Sequence, residues 1–203
     1  TGSTRFIRGD GAAIQTGEGN DVLSNYGTII GNSGRAISME GGDDTLNLYG
    51  GSSIVGRIDG GVGTDTINLF GPGSGTLSNV INFEVLNVQG GVWTITDAQS
   101  YQNGATVGSG ATLLVNGSLG NAVTVNAGGT LGGTGTLTAA TTTLDGAIVN
   151  ANLGTGTLVQ HSGISLLGGT AASGIVRIDG GTLRLGGTDR LADGAVVTVA
   201  GGA

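Results

Sequence analysis

The chain has 203 residues, with 45 glycines, one proline, no cysteine and 3% aromatics, yet 37% of it is hydrophobic. That is too apolar for a disordered chain and too poor in aromatics for an ordinary globular core, which leaves a narrow core of small aliphatic side chains with many turns. Seven arginines, no lysine and fourteen carboxylates give a net charge of −7, which argues against nucleic-acid or anionic-membrane binding; without cysteine there is no disulfide or thiolate metal site.

Taken in chain order, the first 90 residues carry one repeated unit. Asp21 is preceded seven and two positions earlier by Ile14 and Gly19, and followed at +2, +4, +5 and +6 by Leu23, Asn25, Tyr26 and Gly27. Asp44 has Ile37, Gly42, Leu46, Leu48, Tyr49 and Gly50 at the same offsets, and Asp65 has Ile58, Gly63, Ile67, Leu69, Phe70 and Gly71. Glu84 continues with Leu77, Leu86, Val88, Gln89 and Gly90 but loses the early glycine and the aromatic. These anchors are 23, 21 and 19 residues apart. Apolar +2 and +4 alternating with +1 and +3 is the period of a half-buried strand, and glycine at +6 ends it in a turn. A repeat of about 20 residues is one winding of a solenoid, in which each short strand pairs with those above and below.

Residues 91–203 keep the pattern with looser spacing. GATLLVNG (110–117), AVTVNAGGTLGGTGTL (122–137), GTGTLVQ (154–160) and GGTLRLGG (180–187) read as short strands between Gly or Asn. Leu113 and Leu131 are 18 residues apart, Leu158 and Leu183 25 apart. No charged side chain occurs from Ala98 to Leu144, and no window sustains a 3.6-residue apolar period. The expectation is an all-β chain: a single right-handed parallel β-helix over 1–203, regular over 1–90 and looser over 91–203, of about ten coils and on the order of 45–50 Å long. A β-sandwich is the rival fold, through the hairpin signals Asn103-Gly104 and Asn116-Gly117.

Several features carry chemistry. The first nine residues of GGVGTDTINLFG (60–71) fit the calcium nonapeptide G-G-x-G-x-D-x-U-x, which makes Asp21, Asp44 and Asp65 candidate metal ligands. Such nonapeptides bind metal when they follow one another directly. Here they recur once per winding, so a glycine turn opening a strand is the preferred reading; no cofactor is expected, with calcium as the alternative. Asp21, Asp44, Asp65 and Glu84 stack along one edge, where like charges repel unless an ion, Arg35 or Arg57 relieves them. Tyr26, Tyr49 and Phe70 share one offset and Trp93 is the sole Trp. Packing in the core or at a coil corner is preferred for all four, with binding of sugar or protein as the alternative. Asn47, Asn68 and Asn87 at +3 suggest an amide ladder. Arg8-Gly9-Asp10 matches an integrin-recognised tripeptide by three residues only. His161, the single histidine, sits in LVQHSGIS without a nucleophile elbow, so no Ser-His-acid triad is expected. Asp43 with Asp59, and Arg57 near Asp59 and Asp65, are the groups left for a glycosidase- or lyase-like site.

NAVTVNAGGTLGGTGTL (121–137), followed by GGTLRLGGTDRLADGAVVTVAGGA (180–203), resembles the passenger region of autotransporters, the type V secreted proteins of Gram-negative bacteria. VNAGGTLGGTGTL is similar to the passenger-associated transport repeat of that family, and GTIIGNSGRAISMEGGDDTLNL (27–48) resembles its large adhesin-like members. The resemblance implies a right-handed parallel β-helix, export through the outer membrane and exposure at the bacterial cell surface. It implies as partners host or neighbouring-cell surface molecules and the translocator barrel of the full-length protein, and as function a non-catalytic stalk or adhesion scaffold. A calcium-binding folding module and a β-helical carbohydrate-active enzyme are the alternatives. The chain stops in mid-pattern at VTVAGGA, as expected of a piece of a longer protein, and open strand edges at its ends favour end-to-end association.

Overall fold

The computed structural model describes residues 6–9 and 11–200. Among these residues there is no helix, and every strand pairing is parallel. One long sheet runs through ten successive strands, from Val22–Asn25 to Val196–Val199. Each strand in this path belongs to one winding, so the protein is a parallel β-solenoid of about ten coils, roughly 4.8 Å per coil. The hairpin signals do not make hairpins: Asn116-Gly117 turns the corner between Thr112–Val115 and Ser118–Val125, which lie in different sheets.

The offsets of the repeat become the register of the sheet. Leu23 pairs with Leu46, Leu46 with Ile67, Ile67 with Leu86, and Leu86 with Ala105. Leu46, Ile67 and Leu86 are fully buried, and Leu23 is partly buried against the same core. Alternation on a pleated strand sends +2 and +4 inward and +3 and +5 outward, so a one-residue slip would expose every aliphatic row. Each buried Leu or Ile contributes about 1.5–3 kcal/mol.

Two further sheets close the coils. The first contains Phe6–Gly9, Thr28–Ser38, Ser53–Asp59 and Val80–Ile81; the other runs from Ser74–Leu77 through Val92–Ile95 to Thr182–Leu185. The change from one to the other corrects the repeat. Leu77 does not continue the Ile14–Ile37–Ile58 row but pairs with Ile95; Val80 pairs with Ile58 instead. The corner that holds Gly60, Gly61 and Gly63 in one coil is replaced in the next by a short turn, with Phe83 buried in it. The glycines at the long corner are required by close stacking. Gly42 and Gly63 have φ of 129° and 145°, and a Cβ at Gly63 would run into the Gly42 carbonyl one coil away.

The C-terminal coils are more regular than their sequence suggests. Leu113, Leu131, Val149, Leu167 and Leu185 are successive register partners, each 18 residues from the last. Leu158 and Leu183 are not register partners: Leu158 pairs with Val176 in the long sheet, Leu183 with Ser165 in the other. The 25-residue interval therefore spans two faces of the solenoid and is no coil length.

Candidate functional site

On the outward face of the long sheet, the +3 positions form one polar column: Ser24, Asn47, Asn68, Asn87, Thr106, Thr124 and Thr143. Asn47 Nδ2 donates to Ser24 Oγ (3.3 Å), Asn68 Nδ2 to Asn47 Oδ1 (3.0 Å) and Asn87 Nδ2 to Asn68 Oδ1 (3.1 Å). Asn47 and Asn68 thus each use one donor and one acceptor along the axis, and Asn87 closes the ladder as a donor.

The +5 positions of the same face hold the aromatic candidates. Tyr26 and Tyr49 stack with ring centroids 3.9 Å apart, Tyr49 and Phe70 at 4.9 Å, both at 15°. The rings pack on one another outside the core, and Tyr26 is 69% exposed. A hydrogen bond with Tyr49, followed by desolvation, raises the Tyr26 phenol above its ordinary range. The stack therefore presents ring edges, a hydroxyl and an amide column side by side. Trp93 leaves the list of binding candidates: it is 1% exposed, its Nε1 donates to the Gly90 carbonyl (3.2 Å), and it lies over Gly75 in the preceding coil.

The acidic edge is a seam of backbone hydrogen bonds. The Asp21 amide donates to Asp44 Oδ1 (2.7 Å), the Asp44 amide to Asp65 Oδ1 (2.7 Å) and the Asp65 amide to Glu84 Oε2 (2.8 Å). A second ladder runs the opposite way beside it: the Asp43 amide donates to Asn20 Oδ1 and the Thr64 amide to Asp43 Oδ1, both at 2.8 Å. Carboxylates at the strand start are thus acceptors for corner amides that would otherwise be orphaned. Arg57 does not relieve the seam, since its guanidinium pairs with Asp59 at 3.3 Å. Asp44 and Asp65 are 1% and 0% exposed, and burial raises the Asp65 carboxyl, with the charges of Asp44, Glu84 and Asp43 adding to the rise and the Asp44 amide opposing it. Among the described residues no three His, Cys, Asp or Glu side chains converge as a metal cluster.

The remaining candidates stay apart. His161 Nδ1 lies 2.9 Å from Asp145 Oδ1, and Ser162 Oγ donates to the same oxygen at 3.0 Å; both serve the carboxylate, and the hydroxyl is not on the ring. Asp59 is held by Arg57 and Asn82, and Asp43 by the Thr64 amide. Asp10 and the Arg8 side chain of the RGD tripeptide lie outside the described residues. A crease of about 350 Å³ opens where two sheets meet, lined by Ser52, Ser53, Ser74, Thr76 and Thr94 among others. Sequence reading missed a chain running from the core to the surface, in which the buried Tyr101 hydroxyl donates to Gln99 Oε1 (3.0 Å) and Gln99 Nε2 to Asp97 Oδ1 (2.6 Å), while Asp97 Oδ2 accepts the Asn79 amide (2.7 Å). Only the pairing of an acid with Gln two residues on signals it.

Comparison with known proteins returned no matching family model, no matching curated protein and no matching solved structure. The class that the fold defines is a parallel β-solenoid.

Proposed function

We propose that this chain is a non-catalytic, surface-exposed β-helical stalk from an autotransporter passenger, serving as an adhesion or interaction scaffold. The observation that carries the reading is the long sheet, whose ten strands run in one unbroken parallel path; the resemblance of residues 125–137 to a passenger-associated transport repeat supports it. The mechanism is mechanical. Backbone ladders along the axis give reach and stiffness, and each coil that folds outside the cell opposes return of the chain. The contact surface is the outward face where Tyr26, Tyr49 and Phe70 adjoin the asparagine column. Its neutral amides, hydroxyls and aromatic edges suit glycan or protein surfaces, and the net charge of −7 disfavours nucleic acid.

The test is to display the chain on Gram-negative cells through a translocator barrel and shave the cells with protease. The expected result is protease-accessible chain at the surface, and reduced export when residues 110–203 are removed. Chain retained inside the cell, or export indifferent to that deletion, would contradict the proposal.

A further inference from the structure

The acidic seam holds more than its backbone bonds require. The carboxylates of Asp44, Asp65 and Glu84 each use one oxygen on an amide of the neighbouring coil, while Oδ2 of Asp21, Asp44 and Asp65 is buried with no hydrogen-bond partner. Asp44 and Asp65 are almost wholly removed from solvent. An ionised oxygen in that setting has neither water nor a donor, which disfavours the charged form, and the usual escape is to bind a proton.

The surroundings favour this escape over a bound cation. The charges acting on Asp65 are Asp44, Glu84 and Asp43, all of its own sign. The nearby cation, Arg57, is engaged by Asp59, and Glu40 accepts from Gln15. Oδ2 of Asp65 lies against Gly60, where an added Cβ would sit 2.8 Å from it, and the Asn82 carbonyl crowds the same spot. Calcium takes six to eight oxygens, and no three acidic or histidine groups converge among the described residues.

We propose that the seam of Asp21, Asp44, Asp65 and Glu84 is a pH-sensitive clasp centred on Asp65: its buried, unpartnered carboxyl takes up a proton on acidification and tightens the N-terminal corners, and releases it toward alkaline pH, loosening those corners. The sign follows from linkage. An acid that holds its proton more tightly when folded makes folding proton-consuming, so its stabilisation grows as pH falls through the folded value and is complete below the ordinary carboxylate range. Most carboxylates that are paired in a native state do the opposite. The proposal rests on the seam geometry alone and stands or falls independently of the export reading.

Hydrogen exchange of the full chain between pH 8 and pH 5, corrected for intrinsic rates, reads the seam directly through the amides of Asp21, Asp44 and Asp65. Each unit of difference in proton affinity between closed and opened corner changes the opening constant about tenfold. Protection of these amides is expected to rise on acidification. Asp65→Asn keeps the Oδ1 acceptor and removes the charge, so it should give acid-like protection of the seam at pH 8 and flatten the pH dependence. Asp65→Ala loses the acceptor as well and should lower protection at both pH values. His161→Asn should leave the pH dependence unchanged. Protection that is flat or falls toward pH 5, a pH dependence that survives Asp65→Asn, or millimolar calcium at pH 8 reproducing the effect of acid would each overturn the proposal.

Discussion

Trp93 lies closely over Gly75 in the core, and this contact allows a quantitative test of coil stacking. The two residues are register partners. A Cβ built on Gly75 would fall within 2.6 Å of Trp93 Cε3 and Cη2, with Cζ3 closer still. The obstacle is a rigid ring that is 1% exposed, so neither residue can step aside without moving a coil. Gly75→Ala should therefore destabilise by about 1–3 kcal/mol, the usual cost of overpacking, or about 2–4 °C in Tm per kcal/mol for a chain of this size. Trp93→Leu alone leaves a void and is also destabilising. Combined, the methyl group fills part of the space vacated by the indole, so the double variant should be more stable than the sum of the two losses by at least about 1 kcal/mol. Urea unfolding followed by far-UV circular dichroism measures all four proteins, including those without tryptophan. A Gly75→Ala protein within about 0.5 kcal/mol of the parent, or strict additivity in the cycle, would refute the stacking of these two positions.

Two other predictions concern the rows and the polar chain at Tyr101. Ile67→Ala, in the middle of the inward row and 0% exposed, should cost about 2–5 kcal/mol, whereas Val22→Ala, at 71% exposure, should stay within about 0.5 kcal/mol of the parent; the same urea titration separates them. Tyr101→Phe strands Gln99 Oε1 and should cost about 1–3 kcal/mol at neutral pH. Burial, and then the charge of Asp97, push the Tyr101 phenol far up. The unfolded chain ionises near pH 10 and the folded chain does not, so this group's contribution is intact below that pH and lost above it. Unfolding midpoints at pH 9 and pH 11 should converge in Tyr101→Phe relative to the parent.

The N-terminal register was legible because glycine loops and aspartates mark the same place in each winding, and strand alternation then fixes which aliphatics face inward. The row failed at Leu77 for a physical reason. Once the Gly60–Gly63 loop is deleted from a corner, the chain reaches the inward position in fewer residues, and Val80 arrives where Leu77 was expected. The 18-residue spacing showed only between Leu113 and Leu131 and not as a sustained repeat, because Gly, Thr and Leu recur on two faces at once, so that Leu158 and Leu183 look alike although they belong to different sheets. The aspartates were visible as a stack, but not their role. Amide capture by the coil next door depends on corner geometry that no side-chain pattern encodes. Trp93 against Gly75 was hidden in the same way, since the two are consecutive-coil neighbours with no local relation in sequence.

Stacking of the parallel coils in one register is read out by distances between paired spin labels along the outward polar column. The chain has no native cysteine, so cysteine pairs can be placed freely at Asn47 with Thr124 and at Asn47 with Thr143, four and five register steps apart. At about 4.8 Å per step, the backbone separations are about 19 Å and about 24 Å, and moving the first label from Asn47 to Ser24 lengthens each by one further step. Distances that climb in equal increments with register number are the result this account requires. Distances that fall, scatter or ignore register number would mean that the coils do not lie one above another.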